Sequence, residues 1–206
     1  SIRRQRQMCI RDRVRRVYPT AIKNKKYVNN ICDKRRSTNF IVLGVKGFVH
    51  KGNDLLIEVF KKHVEWRLYL CGREIEQECK KIGCVRSENV VDCGFVEIES
   101  QKFLELVSEC TFILLPSCSE GMSTALLTGM RHGLIPVTTK GTGMDELYEY
   151  CQYFEGYHID QIEKKLIELT KMGKEEIKNM SDNIYEYANQ IFSISSYAKN
   201  LREIFE

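Results

Sequence analysis

The chain has 206 residues, with 32 Lys and Arg against 28 Asp and Glu, which gives a formal net charge of +4. Residues 3–13, RRQRQMCIRDR, resemble a sequencing adapter translated in frame, so they are set apart from the fold as an expression scar would be. Without their five Arg and one Asp, 27 basic and 27 acidic residues remain and the net charge is 0. Basicity therefore gives no argument for a nucleic-acid partner.

This interpretation divides the chain into three parts. Residues 1–13 are expected to be disordered and dispensable, and residues 14–38 to be a linker. The coding region is expected to extend upstream of Val14, so that the chain is a fragment. Residues 39–206 are long enough for one domain with a sizeable core, and they contain no apolar run near the roughly 20 residues of a membrane span.

Cysteine usage points to a reducing compartment. Of nine Cys, Cys9 falls in the adapter-like segment, and the other eight show no CxxC or Cys/His ligand spacing. Several lie in apolar runs beside Leu, Val or Phe, which favours buried, reduced thiols in a cytoplasmic protein over disulfides or zinc.

Short apolar runs alternate with helical patterns along the chain. Residues 29–39 are polar and aperiodic, which predicts a loop. Periodicity then predicts strands, each followed by a turn or a helix, at residues 40–43, 66–70, 90–91, 112–115 and 134–137. Alternating strands and helices predict a doubly wound, parallel α/β sheet of the Rossmann-like kind. Residues 159–205 read as helices only, with breaks near Gly173 and Ser193.

The loop after the first strand carries cations. In GVKGFVHKGNDLLIEVF, residues 44–60, glycines loosen the loop, Lys46 and Lys51 suit a phosphate, and a helix begins near Asn53. The neighbouring His50 could also reach a phosphate, although a lysine in a loop is by default only solvated. The segment is neither a Walker loop nor a GxGxxG fingerprint, and KGTGMDE at residues 140–146 lacks the third glycine of that fingerprint.

The loop after the fourth strand places one carboxylate before a helix. Residues 116–137, PSCSEGMSTALLTGMRHGLIPV, put apolar residues from Met122 onward on the face that packs against the sheet. A second face, predicted to point at a ligand, carries four residues that step by four, namely Glu120, Thr124, Thr128 and His132. Free N–H groups at the helix start favour a diphosphate, with its sugar near Glu120. The alternatives are a Glu120 that only stabilises the helix start and a structural His132, and Ser117 and Ser119 are expected to act as caps.

Five segments in fixed order resemble a known family: KGxDLLxxxF after the first strand, CGFV at 93–96, PSxxEG at 116–121, GxIPV at 133–137 and GTGxxE at 141–146. Together, over residues 39–150, they look like the C-terminal half of a GT-B glycosyltransferase of family 4, the group 1 glycosyltransferase domain. The resemblance implies two Rossmann-like domains around a cleft, of which the N-terminal one is missing here and residues 39–206 bind the nucleotide-sugar donor.

The family implies a hexosyltransferase (EC 2.4) that retains anomeric configuration and uses no metal or other cofactor. Its partners would be a nucleotide-sugar donor and a saccharide or lipid-linked acceptor, in the cytoplasm or at the inner face of the membrane, and not nucleic acid. The fragment alone is expected to be inactive. The alternatives are a GT-B sugar-nucleotide epimerase and a non-catalytic nucleotide-sugar-binding protein.

Site residues follow from the same resemblance. Glu120 matches the first glutamate of the family's Glu-x7-Glu motif, near the donor sugar, and is the candidate catalytic residue. Thr128 stands where the second glutamate usually holds the ribose, and it is expected to keep that role in weakened form. The remaining donor-binding candidates are the phosphate cations and the segments near the base, sugar and phosphates: Lys46, Lys51, Phe95, Val96, Gly121, Met122, Ser123 and Thr124.

Overall fold

A computed structural model describes residues 17–21, 36–98 and 100–205. The strands are β1 (Arg36–Leu43), β2 (Arg67–Cys71), β3 (Val90–Gly94), β4 (Cys110–Leu115), β5 (Ile135–Thr138) and β6 (Gln152–Tyr153). The helices are α1 (Asn53–Lys62), α2 (Ile75–Ile82), α3 (Gln101–Glu109), α4 (Thr124–Met130), α5 (Ile159–Thr170), α6 (Lys174–Ile191) and α7 (Ile194–Phe205), and a 3-10 helix spans Asp145–Tyr150.

The strands form one parallel sheet in the order β3-β2-β1-β4-β5-β6, so the predicted doubly wound sheet is confirmed. The order reverses at β1. Right-handed crossovers therefore place α1 and α2 on one face and α3 and α4 on the other. The three C-terminal helices match the predicted breaks, with α5 packing on α1 and α6 on α4.

The predicted loop at residues 29–39 is wrong for its last four residues, which belong to β1. These four residues are polar and show no strand pattern, but main-chain pairing with the neighbouring strands makes them a strand. Arg36 pairs with Cys110 of β4, and Asn39 pairs with Arg67 of β2. Ser37 Oγ also donates to Thr170 O at 3.0 Å. The two-residue strand β6 and the 3-10 helix were not predicted, because neither is long enough to show a period.

The centre of the core is aromatic. The Phe40 ring stacks on Phe112 at 5.5 Å and meets Phe60 edge-on at 5.3 Å, and all three side chains are fully buried. Phe40 and Phe112 lie on the central strands β1 and β4, and Phe60 reaches them from α1. Large rings at this position hold the central strands against α1, the helix that follows the loop after β1.

The predicted adapter segment lies outside the described residues, as do Cys9, Cys32 and most of the predicted linker. Of that linker, residues 17–21 and 36–38 are described, and residues 36–38 belong to β1. Ala21 N donates to Phe192 O at 3.2 Å. The seven described cysteines form no disulfide with one another, and five of them are buried. No helix within the described ranges is long and apolar enough to cross a membrane.

The strands end level with one another, which brings their loops to one edge. Leu43 of β1 pairs with Cys71 of β2, Cys71 with Gly94 of β3, and Leu115 of β4 with Thr138 of β5. The loops therefore follow one another along the carboxyl edge in the order of the strands: residues 95–100, 72–74, 44–52, 116–123 and 139–144. Ligands of doubly wound sheets bind at this edge, beside the strand where the order reverses.

Candidate functional site

The loops after β1 and β4 are joined through His50. Its carbonyl accepts hydrogen bonds from Cys118 N at 3.0 Å and from Ser117 Oγ at 3.3 Å. Its ring nitrogen Nε2 lies 2.5 Å from Ser119 O, so this nitrogen donates the proton. His50 therefore ties two loops together, and its Nε2 is engaged with Ser119 O.

Close approach of these loops needs a glycine at position 52. Gly52 has φ +69°, and a Cβ added there would lie 2.5 Å from Pro116 O. Only glycine combines this left-handed backbone with that contact. Ser117 and Ser119 do not cap α4, contrary to the prediction, because they serve the contact between loops; the N-cap residue is Ser123, whose side chain makes no capping bond.

The same contact brings together two predicted site residues from different strands. Lys51 Nζ lies 3.3 Å from Glu120 Oε1 and also donates to Gly44 O at 3.2 Å. Both side chains are partly shielded, with 19% and 22% exposed. The cation is thus held between a main-chain carbonyl and a carboxylate, and the carboxylate is oriented by the cation.

The loop after β5 braces the Glu120 loop from the other side. Gly143 has φ +63°, and a Cβ there would lie 2.7 Å from Met122 N and 2.8 Å from Gly121 C. The buried Thr139 hydroxyl donates to Ser117 O. The GTG segment therefore supports the backbone that follows Glu120.

A cavity of about 650 Å³ opens at the edge and is lined by the loops after β1, β2 and β3 and by α4. Five predicted binding residues line it: Lys46, Phe95, Val96, Thr124 and Thr128. The other five are not part of its lining: Lys51, Glu120, Gly121, Met122 and Ser123. They adjoin it, since Gly44, whose carbonyl holds Lys51, is part of the wall.

Helix α4 presents less to a ligand than its sequence predicts. It begins at Thr124, so Glu120 and Met122 precede it. Thr128 lines the cavity but is only 4% exposed, and its hydroxyl donates to Thr124 O at 2.8 Å. His132 is fully buried, with Nδ1 2.8 Å from Thr128 O and its ring edge-on to Phe103. The predicted ligand face is therefore wrong at His132, where the structural alternative holds, because α4 packs between the sheet and α6.

The sequence analysis does not identify Arg73 and Glu74, two residues of the wall that follow β2. The Arg73 guanidinium carbon lies 4.8 Å from the centroid of the Phe95 ring, which is 64% exposed. Glu74 has φ +63°, the left-handed region, and no other non-glycine residue in the described ranges has a positive φ. Only their position could have indicated them, since both follow a strand that ends at the edge where ligands bind.

Comparisons with solved structures give the same fold. WaaG, a glycosyltransferase involved in lipopolysaccharide biosynthesis, superposes with a TM-score of 0.65 at 17% identity, over 91% of this chain and 54% of that one. HepE of Anabaena, solved with UDP-glucose, gives 0.64 at 18% identity over 81% and 48%. Sucrose-phosphate synthase of Thermosynechococcus elongatus gives 0.68 at 13% identity over 84% and 45%. The chain thus spans about half the length of these structures.

A search of curated proteins by sequence found no match. The family profile described as "Glycosyl transferases group 1" matches residues 39–172, which is more than half of the chain. The matched range runs from β1 to the end of α5 and contains the Lys51–Glu120 pair and every residue of the cavity wall. The chain therefore belongs to the group 1 glycosyltransferases.

Proposed function

We propose that this chain is the donor-binding part of a retaining glycosyltransferase that uses a nucleotide-diphosphate sugar. The observation that carries the proposal is the Lys51–Glu120 pair, which joins the loops of β1 and β4 beside the 650 Å³ cavity. A cation that neutralises phosphate and a carboxylate that accepts sugar hydroxyls are the two charged groups such a donor needs. Here they lie 3.3 Å apart.

The donor is placed by the chemistry of the wall. Phe95, Val96 and Ile98 give one end an apolar surface for a nucleobase. Lys46 and Lys51 meet the diphosphate, and Glu120 accepts hydrogen bonds from the sugar. HepE was solved with UDP-glucose, and a uridine donor is one that this wall would accept.

In this assignment Lys46 and Lys51 neutralise the diphosphate as a divalent cation would. On this basis we propose a reaction that needs no metal. Transfer of a hexosyl group with retention remains part of the proposal, as does a saccharide or lipid-linked acceptor. A lipid-linked acceptor would require the enzyme to work at the inner face of the membrane. Because the chain spans about half of the matched structures, we propose that the acceptor side lies outside it and that the chain alone binds donor without transfer.

A titration of the 206-residue chain with UDP, GDP and ADP, followed by NMR shifts, tests the donor site. One diphosphate should bind with a dissociation constant of about 10 μM to 1 mM, since the acceptor side of the cleft is proposed to lie outside the chain. Lys51→Ala should weaken it by roughly 1.5–3 kcal/mol through the lost charge-assisted contact. Lys174→Ala, which removes the same charge from the start of α6, should leave binding unchanged.

Glu120 is tested by comparing two ligands. Glu120→Gln should spare the bare nucleoside diphosphate and weaken the nucleotide sugar, because the carboxylate is assigned to the sugar. Equal loss of both ligands would move Glu120 off the sugar. The absence of saturable shifts with all three diphosphates would remove the donor-site proposal.

A non-catalytic nucleotide-sugar-binding protein is the second candidate. It is favoured by Thr128, which replaces the second glutamate of the family motif and whose hydroxyl proton is committed to Thr124 O. Binding that does not distinguish a nucleotide sugar from its diphosphate in wild type would support this candidate.

A further inference from the structure

The strand order gives each part of a donor its own loop. In the proposed site the base lies at the loop after β3 and the diphosphate at the loop after β1. Strand β2 stands between β3 and β1, and neighbouring strands lie about 4.8 Å apart. The ribose, which joins base to phosphate, therefore falls at the loop after β2, residues 72–74.

The residue expected to hold the ribose is poorly placed for it. Thr128 is 4% exposed and donates its hydroxyl proton to Thr124 O of its own helix. It can accept a hydrogen bond but does not offer the two oxygens with which one carboxylate accepts from both ribose hydroxyls. A carboxylate from another part of the wall would supply both oxygens.

The β2 loop supplies a carboxylate at a strained position. Glu74 lines the same cavity as Thr128 and precedes α2 with φ +63° and ψ +22°. A left-handed backbone is unfavourable for glutamate and suits glycine. Such strain is characteristic of functional positions. One turn further on, Glu78 also lines the cavity, but it is held by Lys81 at 2.5 Å.

Resting on the donor site proposed above, we infer that Glu74 is a specificity-determining residue whose carboxylate accepts hydrogen bonds from the 2′- and 3′-hydroxyls of the donor ribose. In this role it replaces the second glutamate of the family motif from a different loop. The strain at Glu74 persists because the side chain serves the ligand, since a glycine would fit the backbone better. Glu74 thus selects ribonucleotides over deoxyribonucleotides.

The test compares ribose with dideoxyribose. The 206-residue chain is titrated with UDP, GDP and ADP, and the best binder is then compared with its own 2′,3′-dideoxy form by calorimetry. Wild type should prefer the ribose form by roughly tenfold, the value of a charge-assisted contact. Glu74→Gln should reduce the preference to within about twofold.

Two controls keep the ribose assignment separate from general effects. Glu76→Gln removes a carboxylate of the same helix that pairs with Arg86 and Lys80, and it should keep the full preference. Thr128→Val should keep it as well.

Glu74→Gly should lose the preference while raising the thermal midpoint by about 2–4 °C, because it relieves the left-handed backbone. A residue with a merely structural role would not show that combination.

The outcomes separate the two proposals. If a diphosphate binds but wild type does not distinguish the dideoxy form, or Glu74→Gln keeps the tenfold preference, the ribose assignment is overturned and the donor site stands. Loss of the preference in Thr128→Val would return the ribose to α4 and overturn it too. If no diphosphate binds wild type, the donor site itself is wrong.

Discussion

The five loops at the carboxyl edge of the sheet fall into two groups that are built differently. The sugar-side loops, residues 44–52, 116–123 and 139–144, are fastened to one another by the carbonyl and ring of His50, by the Thr139 hydroxyl and by the Lys51–Glu120 pair. The base-side loops, residues 72–74 and 95–98, expose Arg73, Glu74 and Phe95. The Arg73 guanidinium stacks on the Phe95 ring, and Gly72 N donates to Gly94 O at 2.8 Å.

The glycines at this edge are used in two ways. Gly52 and Gly143 both have positive φ and both lie where a Cβ would meet backbone atoms of the next loop. Gly94, at the start of the base-side loops, has φ +65° with nothing within 4 Å of an added Cβ. Gly72, after β2, is also closely packed, since an added Cβ would lie 2.9 Å from Val45 N of the loop after β1. Close packing by glycine therefore occurs on both sides, whereas Gly94 only turns the chain.

The difference fits the chemistry proposed for each side. Charge that develops between a sugar and its leaving diphosphate is stabilised best by groups that are already fixed, since reorganising them would raise the barrier. A base that stacks on an apolar surface needs no such fixed frame, because stacking tolerates small displacements. The sugar side is therefore expected to contribute stability as well as binding, and the base side binding alone.

The largest expected effect is the loss of stability from Gly52→Ala. A left-handed alanine costs about 1–2 kcal/mol, and forcing its methyl group toward Pro116 O adds about 1–3 kcal/mol. Unfolding in urea should show a combined loss of roughly 2–5 kcal/mol. Gly94→Ala adds the same backbone strain but no close contact, and it should cost only about 1–2 kcal/mol. Equal losses in both variants would erase the contrast between the two sides.

Much of this architecture was predictable from the sequence because it rests on periodicity. Five strands and the breaks near Gly173 and Ser193 follow from apolar runs and helical spacing. The meeting of Lys51 and Glu120 follows from parallel strands that end at one edge. The family motifs can also be recognised from the sequence, since each is a short local segment.

Other features depend on neighbours distant in sequence. The polar start of β1 is a strand because β2 and β4 pair with it. Thr128 and His132 look solvent-facing on a helical wheel, yet both are buried because α6 covers α4. No sequence pattern predicts the left-handed φ of Glu74, which lies in the turn between β2 and α2. Tertiary packing decided the first two cases, whereas the third depends on a local turn.

A smaller effect is expected from the hydroxyl of Thr139. The side chain is 2% exposed and donates to Ser117 O, so it joins the loops after β5 and β4. Thr139→Val keeps the volume and leaves a buried carbonyl without this donor, which should cost about 1–2 kcal/mol in urea unfolding. Ser108→Ala, which removes an exposed hydroxyl bond to Glu105 O, should stay within about 0.5 kcal/mol. A Thr139→Val variant as stable as wild type would show that this loop contact contributes nothing.

The smallest effect is expected on the base side, from Arg73→Ala. The guanidinium stacks on a Phe95 ring that is 64% exposed, and an exposed cation–π contact is worth only about 0.5–1 kcal/mol. Unfolding in urea should therefore show a loss of no more than about 1 kcal/mol. Arg73→Lys keeps the charge but not the planar stack, so it should fall between alanine and wild type. A loss above about 2 kcal/mol in Arg73→Ala would mean that the base-side loops are as firmly built as the sugar-side loops, and the division of the edge into a fixed and an open half would fail.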